Sequence, residues 1–290
     1  MPDVHQICVV SGKGGTGKTT VAAMSVTELD HVLLADADVD APNLHILLNP
    51  KIIDEIPFVG SKKAHINNNL CTKCGICYSL CRFGAISKIG DDYHVDDVKC
   101  SGCSLCYHAC REGAIEMKDI ISGKIFTTET KHCYLIHAIL NPGEENSGKL
   151  VAEVRKIAKD FAKKIGVNKI VLDGAPGIGC PVIASLSGVD LAVVVAEPTL
   201  SGLSDMARIL ELTEHFKINS VVIINKFNLN KDVTGKIEKF CESKKVKIVA
   251  KVPYDEQIII QTAKLSFPFK GKAADEIRKG WKIISDIIKS

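Results

Sequence analysis

Eight of the twelve cysteines in this chain fall between Cys71 and Cys110, in two runs of identical spacing. Cys71, Cys74, Cys77 and Cys81 open the stretch 71–86, and Cys100, Cys103, Cys106 and Cys110 open the stretch 100–115. Both read C-x-x-C-x-x-C-x-x-x-C-R-x-G-A-I, two copies of one supersecondary unit. The first residues, Asp3-Val4-His5-Gln6, lack the basic-then-apolar region of a secretory signal, so a cytoplasmic protein is expected and a disulfide framework is not. Metal chemistry is the remaining use for so many clustered thiols. Zinc is the rival, but its sites usually take two C-x-x-C pairs and have no use for the third and fourth cysteines of each run. Two 4Fe-4S clusters fit the count and the spacing.

Outside these runs the pattern is hydrophobic periodicity. Residues 7–10 form a short β-branched run, followed by a glycine-rich loop and then a helical stretch. Further buried strands are predicted at 31–35, 169–172, 191–196, 220–224 and 246–250, and paired strands at 124–130 and 133–140. Helical segments separate most of them. One helix is read over 147–165, with Ser147 as N-cap, Gly166 as its stop, and Leu150, Val151, Val154, Ile157, Ala158, Phe161 and Ile165 along one stripe. The fold class is therefore α/β, a mostly parallel sheet with helices on both faces, built from 1–59 and 119–290. An α+β module of about 60–118 interrupts it.

At 290 residues and 46% apolar, the chain can bury a large core, and no apolar run is long enough to span a bilayer. A formal charge of +3 is too balanced to imply nucleic acid or anionic lipid as partner. The module carries eight Lys and Arg against six Asp and Glu, which points weakly to an acidic redox partner. Cys8, Cys133 and Cys241 read as small hydrophobes, and packing is the favoured reading of Cys180 as well.

Gly12-Lys13-Gly14-Gly15-Thr16-Gly17-Lys18-Thr19 satisfies G-x-x-x-x-G-K-T between a predicted strand and a predicted helix. Its backbone N–H groups, continuing to Thr20, would face phosphates. Lys18 would meet the β- and γ-phosphate charge, and the Thr19 hydroxyl would ligate Mg2+. Asp36-Ala37-Asp38-Val39-Asp40 ends the second predicted strand, where open α/β sheets place ligand contacts. A calcium loop is excluded there, since the sixth and twelfth positions are Ala41 and Leu47. Asn225-Lys226-Phe227-Asn228 follows a strand in the manner of the guanine-reading N-K-x-D. With Asn228 in place of the carboxylate, the acceptor for guanine's N–H groups is missing and ATP is favoured.

These motifs, in order from Lys13 to Tyr254, resemble the MinD, Mrp and nitrogenase iron protein superfamily with its deviant Walker A loop. The chain as a whole is similar to members that carry an inserted two-cluster ferredoxin domain. The resemblance implies that Lys13 acts in trans on the nucleotide of a dimer partner and that Asp38 orients the attacking water. Asp36 would lie by the magnesium shell. It makes Asp173, in Asp173-Gly174-Ala175-Pro176-Gly177, the Walker B carboxylate that holds Mg2+, with Gly177 reading the γ-phosphate. Asn225 and the loop with Pro253 and Tyr254 would lie by the adenine. The ferredoxin spacing implies crossed ligation. Cys71, Cys74, Cys77 and Cys110 would hold one cluster, and Cys100, Cys103, Cys106 and Cys81 the other. Arg82 and Arg111 replace the usual proline after the fourth cysteine, and as cations they would raise the potentials somewhat, unless both side chains face solvent.

The expectation is a Mg2+-dependent, dimeric ATPase, a homodimer or a heterodimer with a close relative, coupling nucleotide state to electron transfer with a redox partner. The alternative is a carrier that delivers an iron-sulfur cluster to other proteins. A membrane positioner is a third reading, from the stripe Ile277, Trp281, Ile284, Ile288 flanked by Arg278, Lys279, Lys282 and Lys289; packing of that helix on its own domain is favoured over it.

Overall fold

The computed structural model describes residues 4–142, 144, 147–268 and 270–289. Among these the strands are β1 (His5–Ser11), β2 (Val32–Asp36), β3 (Lys51–Ile66), β4 (Ile86–Ile89), β5 (Asp92–Val95), β6 (Ile115–Glu129), β7 (Tyr134–Leu140), β8 (Lys169–Pro176), β9 (Leu191–Ala196), β10 (Asn219–Asn225) and β11 (Lys247–Val252). The α-helices are α1 (Lys18–Ala23), α2 (Leu44–Leu48), α3 (Ile76–Leu80), α4 (Leu105–Ala109), α5 (Ser147–Ile165), α6 (Cys180–Leu186), α7 (Leu200–His215), α8 (Lys231–Ser243), α9 (Glu256–Ala263) and α10 (Lys272–Lys289).

One sheet runs in the order β11-β10-β9-β1-β8-β2-β7-β6-β3, and β4 pairs with β5 in a separate antiparallel ribbon. From β11 to β7 every neighbouring pair is parallel. Such strands must be apolar on both faces, and β9, Leu-Ala-Val-Val-Val-Ala, is buried at every position. Of the α5 stripe, Leu150, Val151, Val154 and Ala158 are fully buried, Ile157, Phe161 and Ile165 only partly so, Ala162 is buried though it was not read into the stripe, and Gly166 leaves the helix at φ +74. The Ser147 side chain, read as the N-cap, lies outside the described residues.

The described residues divide into two compact units: 1–56, 125–139 and 147–290 form the first, and 57–124 with 140–146 form the second. The divisions fall inside β3 at 56/57, inside β6 at 124/125 and at the end of β7 at 139/140. Counted over these bounds, the second unit has nine basic and nine acidic residues. The basic excess read over 60–118 thus depends on those bounds, and over the wider unit it gives no support to an acidic partner.

In the first unit, Ile277, Trp281 and Ile284 of α10 are buried, and the Trp281 indole N–H donates to the Val21 carbonyl of α1 at 2.8 Å. The C-terminal stripe is therefore core. No helix among the described residues is long and apolar enough to cross a membrane.

Candidate functional site

The phosphate loop joins β1 to α1, and two glycines in it have steric reasons to be glycine. Gly12 lies against Asp205 of α7, whose backbone would be 2.9 Å from an added Cβ. Gly17, at φ +92, lies under Asn225, whose Nδ2 would be 2.3 Å from an added Cβ. That Asn225 amide donates to the Thr16 carbonyl at 2.7 Å, so Asn225 braces the loop from the end of β10. Gly14 has open space around it.

Parallel pairing of β2 with β8 brings Asp36 opposite Asp173, although 137 positions separate them in sequence. Both are fully buried. Lys18 sits at this strand end, its Nζ 2.6 Å from Asp173 Oδ1 and 3.5 Å from Asp38 Oδ2. Burial works against the Lys18 charge, yet the charge and hydrogen bond of Asp173, with Asp38 and Asp36 behind it, hold the ammonium above its ordinary range. Asp36 accepts N–H bonds from Asp38, Asn43 and Leu44 at 3.0–3.1 Å, tying this strand end to α2. Even so, burial and the Asp173 charge push its carboxyl up to about 8. Burial raises Asp38 too, with Lys18 pulling the other way.

Three carboxylates thus share one lysine, and Asp173 Oδ2 is buried with no hydrogen-bond partner. An orphaned buried carboxylate oxygen beside an excess of acid is the environment a divalent cation satisfies. The residues fit Mg2+, with Asp173, Asp36 and Thr19 at hand. Gly177, at φ +92, donates its N–H to the Ser11 carbonyl at 2.9 Å, so reading a γ-phosphate requires that bond to open.

Lys13 turns back onto its own chain. Its Nζ is 2.5 Å from Glu197 Oε1 and within 3.3 Å of the Thr199 and Ser201 hydroxyls at the start of α7. Glu197 also meets Lys226 at 3.4 Å, and Lys226 donates to the Gly15 carbonyl at 2.9 Å. Burial alone would raise the Glu197 carboxyl, but the Lys13 hydrogen bond and the Lys226 charge hold it below the ordinary range. Glu197 and Thr199 have no motif signature of their own, and Lys226 is visible only as part of Asn225-Lys226-Phe227-Asn228; the order of strands places β9 beside β1 and so carries Glu197 to the loop.

A cleft of about 600 Å³ contains the loop from Lys13 to Thr20 with Asp38, Pro176 and Leu265. Beside it, a second hollow of about 480 Å³ brings together Asn225, Pro253 and Tyr254, the residues expected beside a base, with Gly17 and with Ile258 and Ile259, which the sequence reading did not name. Asn228 Oδ1 accepts the Tyr254 N–H at 2.7 Å, so the residue at the guanine-reading position is spent on the backbone.

Residues 7–268 match the CobQ/CobB/MinD/ParA nucleotide-binding domain. The chain belongs to that family. Within it, an uncharacterized protein of Methanocaldococcus jannaschii, MJ0578, is 34% identical over 230 residues, 78% of this chain and 80% of the relative. The septum site-determining protein MinD of Thermotoga maritima is 25% identical over 271 residues, 88% of this chain and 77% of that one. The cell division ATPase MinD of Pyrococcus furiosus shares the fold at a TM-score of 0.60 and 20% identity, covering 98% of this chain and 99% of the other. MinD of Pyrococcus horikoshii, solved with Mg-ADP, does so at 0.59 and 18%, covering 99% of each. The family assignment makes this a MinD/ParA-type nucleotide-binding ATPase domain.

In the second unit the two cysteine runs fold alike, each ending in a short helix, α3 or α4. A hollow of about 230 Å³ is lined by Cys71, Cys74, Cys77 and Cys110, and another of about 290 Å³ by Cys100, Cys103, Cys106 and Cys81. Each takes three thiols from one run and the fourth from the other. No three His, Cys, Asp or Glu side chains among the described residues close on a single metal ion. A polynuclear cluster holds its ligands farther apart than one ion does, and four thiols around a hollow suit its donor set. Cys8 and Cys241 are buried, as predicted for packing, and Cys133 is partly buried. Cys180, for which packing was also expected, is instead exposed at the first turn of α6. The cause is local: Gly179 and Pro181 start that helix in the segment after Asp173, with Ile178 also exposed beside it.

Proposed function

We propose that this chain is a dimeric, Mg2+-dependent ATPase that couples nucleotide state to electron transfer through two 4Fe-4S clusters. The observation that carries the reading is the pair of four-thiol hollows, each drawing on both cysteine runs, in a chain whose other unit presents a phosphate loop. Bound clusters would supply one-electron storage and transfer. The protein's part is ligation by the eight cysteines and control by the nucleotide site. ATP would draw Lys18 from Asp173 to the phosphates and leave that carboxylate to Mg2+, as the Mg-ADP complex of the Pyrococcus horikoshii relative makes reasonable. Lys13 would leave Glu197 for the nucleotide of a second copy. Asp38, buried in the wall of the cleft, would hold the attacking water.

Anaerobic purification, iron counting and EPR test the clusters, and ATP and ADP titrations of the reduced spectrum test the coupling. Eight irons per chain and a nucleotide-dependent potential or reoxidation rate are expected. Zinc in place of iron, or identical behaviour with ATP and ADP, overturns the proposal.

Exposed Cys180 favours a second reading, a cluster carrier. A carrier would lose iron to an acceptor protein lacking its cluster, whereas the electron-transfer protein would keep both clusters through reduction and reoxidation.

A further inference from the structure

The two copies of the cysteine repeat are identical in spacing and differ at seven of sixteen positions, two of which, Lys73 against Gly102 and Phe83 against Glu112, change the formal charge. Position 102 is Gly where the first copy has Lys73. Gly102, at φ +70, presses on β3: a Cβ there would lie 2.2 Å from the Lys62 carbonyl oxygen. The loop from Cys100 to Cys103 is therefore seated on the strand. From the next residue of that strand, half-buried Lys63 donates to the Cys100 carbonyl at 2.7 Å. The first loop has no such seat. Lys73, at φ +60 in the matching position, turns instead to Asp92 at 3.6 Å on the surface, where the pair's charges cancel.

After the fourth cysteine the copies differ again. Cys110 is followed by Arg111 and Glu112, which both line the hollow of Cys71, Cys74 and Cys77 and compensate each other. Cys81 is followed by Arg82 and Phe83, which both line the hollow of Cys100, Cys103 and Cys106, so there the arginine has no acid beside it. The Ala85 N–H also donates to Cys81 Sγ at 3.4 Å. Reduction adds negative charge to a cluster, and nearby cations and N–H donors to the thiolates favour that state. Lys63, on the Cys100 carbonyl, and the Ala85 N–H, on Cys81 Sγ, act on the same hollow, with solvent-exposed Arg82 at its rim. Its lining is also the more apolar, with Leu80, Phe83 and Leu105, and low polarity opposes added charge. Leu80, Phe83 and Leu105 are themselves partly open to solvent, which weakens that opposition, and the lysine fixed against a ligand's own carbonyl prevails.

We propose that the two cluster sites are unequal in potential, that the one built by Cys81, Cys100, Cys103 and Cys106 takes the first electron, and that Lys63 is the positioning residue that sets the order. The inference rests on the cluster reading above. It gives the module a direction: an electron delivered at the Cys71, Cys74, Cys77 and Cys110 site runs downhill to the other.

The test is an EPR-monitored redox titration of the anaerobically purified full chain, after iron has been counted. Wild type should show two separate midpoints. Lys63→Met should lower the higher one, leave the other in place and narrow the gap, and Lys63→Arg should restore it. Glu112→Gln should raise the lower one alone. Should Lys63→Met fail to retain eight irons, Lys63→Arg and Glu112→Gln still decide the matter, because each keeps a polar group of similar reach. A single unresolved midpoint in wild type overturns the proposal, as does a Lys63→Arg gap far from that of wild type, or Glu112→Gln acting on the higher midpoint. Absence of iron overturns the cluster reading itself, and is seen before any potential is measured.

Discussion

Glu197→Gln isolates the contact that keeps Lys13 on its own chain. The native carboxylate takes the Lys13 ammonium at 2.5 Å and Lys226 at 3.4 Å. A hydrogen bond between charged groups contributes about 1.5–3 kcal/mol when shielded. The Lys13 side chain is 34% exposed, so screening reduces this to about 1–2 kcal/mol. That is about 5–30-fold in an equilibrium constant. If Lys13 has to leave Glu197 to reach a partner's nucleotide, a symmetric dimer breaks the contact twice, and removing it strengthens ATP-dependent association by on the order of 100-fold. Glutamine keeps the shape and leaves Lys226 its bond to the Gly15 carbonyl. Sedimentation with a non-hydrolysable ATP analogue reads the effect, and Lys13→Ala should abolish association in either background. A Glu197→Gln dimer no tighter than wild type, at unchanged nucleotide affinity, would refute the reasoning.

Gly17→Ala should abolish nucleotide binding, since its φ of +92 and the Asn225 amide leave no place for a methyl group, whereas Gly14→Ala, in open space, should change affinity little; fluorescent ATP titration compares the two. Asp36 is pushed up to about 8 from 3.8, so the folded protein binds its proton more tightly than the unfolded chain does, and its contribution to apo stability declines as pH rises from about 4 to 8. Mg2+ competes with that proton, so the thermal stabilisation it gives should grow between pH 6 and 8; an increment flat with pH contradicts the placement of the cation. Trp281→Ala should cost about 3–5 kcal/mol in denaturant unfolding, through the buried ring and the bond to Val21, and Trp281→Phe less than half of that. With its stripe buried, α10 should leave the intact protein unbound in liposome co-sedimentation, and binding there would reopen the membrane reading.

The sequence exposed what depends on local spacing. The strand–loop–helix around Gly12–Thr19 and the α5 stripe are periodicities and punctuation a reader can count. Neither the Asp36–Asp173 register nor the approach of Glu197 to Lys13 was legible, because each is set by which strands become neighbours, and that is decided by packing between segments far apart in the chain. The division between the units was hard to read for a different reason: it falls at Pro57, inside a strand that runs unbroken over 51–66, where the burial pattern changes but no turn interrupts the chain. Cys180 misled because a thiol's preference for the interior is an average, and a helix start after a glycine-rich segment overrode it.

The indole of Trp281 reaches the carbonyl of Val21 across 260 positions of sequence. During synthesis the helix behind the phosphate loop therefore waits for nearly the whole chain before its packing partner exists. Competence to hold a nucleotide should arrive late and abruptly, as a property of the finished polypeptide, and chains cut short near residue 270 should be substrates for proteolysis while full-length ones are not.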